Sequence, residues 1–368
     1  KKFSNAIKYY EFYLKINPSD SEVINNLALS YLKNKKYEEA INHYRNLIKI
    51  NPNDQEYLTN LATTLIESLN FEEGMQLLEK LLDKNINNRR ALSSYLFNQN
   101  YNPKSDTNKI NNYITQFNQS LLKNKLNIVD FCFKKNPEKI NVGFVSPDFR
   151  SHPVGYALTN VIKYLKSYNF NLFAYYNFTL NDDLTNKFKK DFDFFHDITN
   201  LNDEQTINKI RSDGIHILID LAGYTFNNRL SIFFDNPAPI QISMLGYLSS
   251  TGIKEIKYKI GDPYIYPETL EKNFSEKILR LPNIWSDFSV KEYTDKSDLS
   301  LNEISDQIIF GCFVTLRKIN DDVIKLWSEV LKKFTNTKIF FKSPELNNTL
   351  IEENLIKKFL KQGIKSDR

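Results

Sequence analysis

Residues 140–156 read Ile140-Asn-Val-Gly-Phe-Val-Ser-Pro-Asp-Phe-Arg-Ser-His-Pro-Val-Gly-Tyr156. Ile140 to Val145 is an apolar, β-branched run that stops at Ser146-Pro147. Proline has no N–H for a strand ladder and biases its predecessor to extended geometry, so a strand ends there. A loop carrying Asp148, Ser151 and His152 follows, then Tyr156 to Tyr168, where Ala157, Val161, Ile162 and Leu165 recur at helical spacing. Strand, polar loop and helix make the first half of a βαβ unit, and ligands of open α/β sheets bind outside the carboxyl ends of the strands. One His and one Asp are delivered to that position.

Upstream, the chain repeats itself. Lys1-Lys-Phe-Ser-Asn-Ala6 returns as Lys35-Lys-Tyr-Glu-Glu-Ala40 and then as Asn70-Phe-Glu-Glu-Gly74. Phe3, Tyr37 and Phe71 are each 34 residues apart, as are Ala6, Ala40 and Gly74, and Tyr10, Tyr44 and Leu78. This is the period of tetratricopeptide helix-turn-helix units. Small residues (Ala28, Ala62, Ala40, Gly74) fall where paired helices approach, Leu27, Tyr31, Leu61 and Leu65 fill between them, and Pro18 and Pro52 close the repeat ends. Residues 1–89 are therefore read as repeats, the first visible one lacking its first helix, with further repeats expected before it because an open repeat face cannot bury itself. Asn26 and Asn60, again 34 apart on successive first helices, carry amides that either hold a peptide backbone or simply face solvent. From Arg90 the period is lost, and residues 90–139 read as a helical cap and linker.

Downstream of Ile140, strands and helices alternate. Strands are expected at Asn171–Phe178, Ile215–Leu221, Pro239–Tyr247, Tyr258–Ile260 and Ile278–Leu281, with a helix at Asn202–Ser212 and a short one at Arg229–Phe234. Near Ser300 the pattern restarts with a strand at Gln307–Val314, an amphipathic helix at Asp321–Phe334, a strand at Lys338–Phe341 and a helix at Leu350–Lys361. The expected architecture is α plus α/β: a repeat solenoid at 1–89, the cap at 90–139, a Rossmann-like half at 140–299, and the start of a second, incomplete Rossmann-like half at 300–368.

Hydrophobic residues at 41% and charged residues at 25% are ordinary globular values, and a net charge of +5 over 368 residues does not point to a nucleic-acid partner. Two cysteines, Cys132 and Cys312, do not make a disulfide framework and favour a reducing compartment. No apolar run is long enough for a membrane span. The chain opens on Lys1 without a signal-peptide pattern and is expected to be an internal piece of a longer protein.

Among four histidines, His43 on a repeat helix and His216 at the head of a buried strand read as structural, and His196 has nothing convergent near it in sequence. His152 differs by its strand-to-helix loop and the rigid Pro153 after it; Asp148, four residues earlier, either orients the imidazole or caps the following turn. Lys318 follows a strand and precedes a helix, a setting that suits a phosphate, although a solvated Lys is common in so Lys-rich a chain. Neither GxGxxG nor a Walker loop occurs, and His and Cys lack metal-ligand spacing. Asp191-Phe192-Asp193 has the DxD form of metal-dependent glycosyltransferases but sits in a Lys- and Phe-rich stretch.

Tandem 34-residue repeats, a helical cap and then Val142-Gly-Phe-Val-Ser-Pro-Asp-Phe-Arg-Ser-His-Pro-Val-Gly-Tyr156 resemble the O-linked N-acetylglucosamine transferase family of repeat-bearing glycosyltransferases, and Arg90 to Tyr101 is similar to its bacterial-type members, the nearest in likeness. Asp213-Gly-Ile-His-Ile-Leu-Ile-Asp-Leu-Ala-Gly-Tyr-Thr225, Asn236-Pro-Ala-Pro-Ile-Gln241 and Leu245-Gly-Tyr247 strengthen the likeness. The resemblance implies a metal-free, inverting GT-B enzyme without a cofactor, which moves N-acetylglucosamine from UDP-GlcNAc to Ser or Thr of proteins held by the concave face of the repeats. It points to His152 and Asp148 as catalytic residues, to Pro153, Leu245, Gly246, Lys318 and Thr315 on the donor side, and to Asn26 and Asn60 as an asparagine ladder for peptides. It implies a cytosolic or nucleocytoplasmic protein with neither nucleic-acid nor membrane partners, and inactivity of these 368 residues alone. Two departures stand out: Leu248-Ser249 replaces the family's Pro-Gly, and Val314-Thr315 stands where two amide side chains are common. The alternatives are the same fold with a GDP-fucose donor, and a peptide-binding scaffold without turnover.

Overall fold

The computed structural model describes residues 2–121, 128–132, 136–286 and 307–368. In chain order, the helices α1 (Lys2–Ile16), α2 (Ser21–Lys33), α3 (Tyr37–Ile50), α4 (Gln55–Glu67), α5 (Phe71–Lys84), α6 (Arg89–Gln99) and α7 (Thr107–Leu121) come first. Then follow β1 (Ile140–Ser146), α8 (Pro153–Leu165), β2 (Phe170–Tyr176), α9 (Asp183–Asp191), β3 (Phe194–Asp197), α10 (Asp203–Ser212), β4 (Ile217–Asp220), β5 (Ile240–Ser243), β6 (Tyr258–Gly261) and β7 (Lys277–Arg280). The last elements are β8 (Ile308–Cys312), α11 (Asp321–Lys333), β9 (Thr337–Phe341) and α12 (Thr349–Lys361). The chain divides into two compact units, Lys1–Ala91 with Tyr293–Arg368, and Leu92–Glu292. The division falls within α6, so most of the stretch read as a cap belongs to the second unit.

In the first unit, the repeat signature becomes paired helices. Asp20 and Asp54, 34 apart, cap α2 and α4 by accepting from Val23 N–H and from Glu56 and Tyr57 N–H. Each cap satisfies amide donors that the first helical turn leaves orphaned. Asn88 continues the same step and accepts from Ala91 N–H, so α6 starts in register with the repeats although its apolar pattern no longer does. Lys35 and Leu69, also 34 apart, take left-handed φ of 63° and 69° just past the first helix of each repeat. Ala28, Ala40, Tyr44, Leu47, Ala62 and Leu65 are fully enclosed between the helices. In the same unit, β8 and β9 pair in parallel through α11, a βαβ turn whose Trp327 and Phe341 rings pack at 6.0 Å.

In the second unit, seven parallel strands run in the order β3-β2-β1-β4-β5-β6-β7 among the described residues. The chain winds outward from β1 to β3, then returns to β4 on the other flank of β1, where Val145 pairs with Asp220. Such a reversal leaves a crevice beyond the carboxyl ends of the two strands, the usual ligand position in doubly wound sheets. Phe144, Leu158, Ile162, Leu172, Ala174, Tyr176 and Phe188 form the core that fixes α8 and α9 on one face of the sheet.

Two elements were absent from the sequence reading. Helix α9 is mostly Lys and Asp, but Asp182 caps it and Phe188 and Phe192 bury under it; β3 then pairs with β2. Helix α8 also begins three residues earlier than expected, at Pro153, because proline without an N–H suits the first helical position. The short helix near Arg229 is a 3-10 turn over Leu230–Asp235.

Candidate active site

Three loops meet at the carboxyl ends of β1, β4 and β5. The first follows β1. Ser146 is fully buried and its hydroxyl accepts from Asp148 N–H at 2.9 Å, which turns the chain and encloses the Asp148 carboxyl. Arg150 donates to Asp148 Oδ1 at 2.9 Å, and Asp148 Oδ2 lies 3.4 Å from His152 Nδ1. Arg150 also stacks its guanidinium over Phe178 at 4.7 Å. The expected pair, Asp148 and His152, is thus in contact, with a third member that sequence reading passed over.

His152 is at once the N-cap of α8, its Nδ1 accepting from Val154 N–H at 3.3 Å. A neutral imidazole cannot accept at Nδ1 from Val154 and donate from Nδ1 to Asp148 together. The geometry therefore admits two neutral tautomers, one with Nε2 free to take a proton and one with Nε2 carrying it. Burial lowers the His152 pKa below its ordinary value, against the pull of Asp148 and helped by Arg150. Burial raises the Asp148 pKa above the usual carboxylate range, opposed by His152 and Arg150. Both shifts favour an uncharged imidazole near neutral pH, the form a proton acceptor requires.

The other two loops approach from β4 and β5. Leu245 is buried in the left-handed region at φ 61°, a conformation that costs a β-carbon-bearing residue about 1–2 kcal/mol. Gly246 follows, and a side chain there would lie 2.2 Å from Leu221 O and 3.4 Å from Val154 Cγ2. Gly223, at φ 54°, leaves room for the Tyr247 ring, whose Cβ would be 2.1 Å from a side chain at that position. Strained backbone held by such close packing is found where surrounding structure over-determines it, commonly at ligand sites. Leu245 and Gly246 are thereby brought against the first turn of α8, which starts at Pro153 and follows His152 directly.

Beneath these loops lies a buried charged cluster that sequence reading missed. Lys259, 1% exposed, donates from Nζ to Tyr247 O at 2.8 Å and Ser243 Oγ at 3.1 Å. Burial lowers its pKa to about 8, opposed by Glu276 and Asp220. Asp220, also 1% exposed, accepts from Gly223 N–H at 2.9 Å and Ala222 N–H at 3.1 Å, and burial raises its pKa to about 6. The available signal was a lysine in the middle of a short strand and an aspartate ending an apolar one.

The remaining expected residues lie in the first unit. Lys318 is exposed at the end of the 3-10 turn Leu316–Lys318, two residues before Asn320 caps α11 by accepting from Val323 N–H. Thr315 Oγ1 is buried without a hydrogen-bond partner. Asn26 is half-buried on α2. Asn60, buried on α4, donates to Asn25 Oδ1 at 3.1 Å and accepts from Arg90 at 2.9 Å, so its amide already has partners inside the repeats.

Other candidates resolve structurally. His216 Nδ1 accepts from Asn141 N–H, and His43 stacks on Tyr31. His196 does have convergent neighbours: its Nε2 lies 3.3 Å from Asp213, which also accepts from Tyr175 Oη at 2.8 Å. Asp191 ends α9 and pairs with Lys187, and Asp193 accepts from Leu172 N–H, so the DxD carboxylates serve the fold. Among the described residues, no group of three His, Cys, Asp or Glu could hold a metal ion, and no helix is long and apolar enough to cross a membrane.

Residues 67–293, more than half of the sequence, match glycosyl transferase family 41. The chain belongs to that family. Residues 21–54 match the tetratricopeptide repeat. Among relatives of this family 41 chain, the probable UDP-N-acetylglucosamine–peptide N-acetylglucosaminyltransferase SPINDLY of Petunia hybrida is 26% identical over 239 residues, 64% of this chain and 26% of that protein. The probable enzyme SEC of Arabidopsis thaliana is 29% identical over 214 residues, 55% of this chain and 22% of its own length. The Caenorhabditis elegans UDP-N-acetylglucosamine–peptide N-acetylglucosaminyltransferase is 29% identical over 228 residues, 60% of this chain and 20% of that one. The chain spans about a quarter or less of the curated relatives it matches. A lysine-to-methionine mutant of the Thermobaculum terrenum O-GlcNAc transferase superposes with a TM-score of 0.86 at 24% identity, covering 98% of this chain and 69% of that one. The fold of this family 41 glycosyltransferase is a tetratricopeptide region with a GT-B-like α/β region.

Proposed function

We propose that the whole protein transfers N-acetylglucosamine from UDP-GlcNAc to Ser or Thr hydroxyls of proteins, and that it does so in the cytosol. The Asp148–His152 contact at the sheet's switch point, with the strained Leu245–Gly246 backbone packed on the same helix start, carries this reading. The names of the family 41 relatives supply the donor and acceptor classes.

In this reading the acceptor oxygen forms a bond to the anomeric carbon as the bond from that carbon to the diphosphate oxygen breaks. The configuration inverts and UDP leaves. His152, kept neutral by burial, takes up the hydroxyl proton through Nε2, with Asp148 orienting the ring. Leu245 and Gly246 present backbone to the donor, and Pro153 lines its pocket. Lys318 and the amides opening α11 offset the charge that develops on the diphosphate, with Thr315 beside them, and no metal is needed for that step. Asn26 belongs to the peptide-holding face of the repeats; Asn60 joins it by ordering Asn25 and Arg90.

The test is mass spectrometry of an acceptor-peptide library incubated with the whole protein and a panel of UDP- and GDP-sugars, beside a His152→Ala control. A HexNAc increment lost in the control is expected. A deoxyhexose increment would replace the donor with GDP-fucose, and peptide binding without any increment would replace the enzyme with a scaffold.

A further inference from the structure

The loop after β5 is held in an unusual way. Side chains grip the loop's own backbone. The Tyr247 carbonyl accepts from Lys259 at 2.8 Å, the Leu248 carbonyl from Tyr266 Oη at 2.9 Å and the Thr251 carbonyl from Tyr224 Oη at 2.8 Å. Glu276 accepts from Thr251 N–H at 2.7 Å and from the Thr251 hydroxyl.

Lys259 differs from the rest because its whole ammonium is enclosed in the protein. A buried ammonium is expensive to desolvate and persists only where fixed acceptors and countercharges surround it. Here the acceptors are Ser243 Oγ at the end of β5 and Tyr247 O, which lie on either side of the strained Leu245–Gly246 corner. The charged groups facing it are Asp220 from β4 and Glu276 just before β7, and the Tyr266 ring lies 5.9 Å away. A single cation therefore ties the strand to the far side of the corner.

We propose that Lys259 is the positioning residue of the donor loop, its ammonium bridging Ser243 and the Tyr247 carbonyl so that the Leu245–Gly246 backbone stands ready for the nucleotide sugar. The proposal rests on the reading of that loop as a donor contact. It adds a residue of β6, the strand that follows the loop, whose work is to keep the corner strained before substrate arrives. A preformed loop lowers the ordering that donor binding must otherwise supply, so its loss acts on the donor and leaves the acceptor alone.

The test compares the whole protein with Lys259→Met, which keeps the stem and removes the ammonium, and Lys259→Arg, which restores charge and donors. Hydrogen exchange of peptides covering 245–251 is followed alongside donor and acceptor KM. In Lys259→Met, faster exchange confined to that loop and a donor KM raised about tenfold with acceptor KM unchanged are expected, with Lys259→Arg recovering both. A Lys259→Met protein that melts cooperatively with unchanged loop exchange and donor KM overturns the proposal. If Lys259→Met does not fold, exchange in the wild type decides: amides of 247–251 that exchange as freely as an exposed loop overturn it, and protected ones that loosen in the milder Ser243→Ala support it. Absence of turnover with every nucleotide sugar would overturn the functional reading, while loop exchange would still judge Lys259.

Discussion

At the scale of single residues, the site turns on how Arg150 sets its neighbours. Burial is the larger influence on both groups, raising the Asp148 pKa and lowering that of His152; the guanidinium of Arg150 pulls both downward, so removing its charge raises both. Activity that needs neutral His152 is lost as pH falls through the folded-state value. Arg150→Met should therefore move the acid limb of kcat/KM upward in pH, read from a rate profile between about pH 5 and 8; an unmoved limb would separate Arg150 from the chemistry. His152→Ala should lower kcat by about 10²-fold or more, as expected for a lost proton acceptor, and should also cost about 1 kcal/mol of stability because the same side chain caps α8. The Asp-His pair itself was legible in sequence because both lie within five residues on one loop. Arg150 lies on that loop too, but nothing in the string says that it folds back onto Asp148 rather than into solvent.

At the scale of elements, close packing replaces side chains at Gly246. A methyl group there meets Leu221 O at 2.2 Å, a backbone atom that cannot rotate away. Gly246→Ala should displace the loop, lower the stability of the unit by roughly 1–3 kcal/mol as overpacking does, and abolish UDP binding by calorimetry. In the repeats, Asp54→Ala removes an oxygen that accepts from two amides, and should cost about 1 kcal/mol in denaturant unfolding without altering catalysis toward a short peptide. The repeats were readable because each position is written more than once, 34 residues apart. Helix α9 was not: only Leu184 and Phe188 of its nine residues are apolar, and Phe188 and the following Phe192 are enclosed by Phe149, which lies far back in the chain on the loop after β1.

At the scale of the whole molecule, buried charge shapes stability against pH. Asp220 has a folded pKa of about 6, above its ordinary 3.8, so the folded state binds its proton more tightly than the unfolded chain. That contribution is full below about 3.8 and lost as pH rises through 6. Asp220→Asn should lack this decline, visible as a gap in urea midpoint between wild type and variant that changes from pH 4 to 6 and is flat above. Lys259 works in the opposite window: with a folded pKa of about 8 against 10.5, stability rises with pH between those values because the unfolded chain holds the extra proton. Between about 6 and 8 both ions are charged and buried, and their mutual attraction offsets part of the desolvation each one suffers. By itself, the sequence determined the repeats, the alternation of strands and helices, and the loop that carries Asp148 and His152, since each depends on periodicity or on residues a few positions apart. The tertiary structure alone decided the strand order that opens a crevice between β1 and β4, the strained corner at Leu245, and the approach of Lys259 to a carbonyl twelve residues away. Those depend on which groups meet when the sheet closes, and a linear pattern records neither the order of the strands nor where a loop between them turns back.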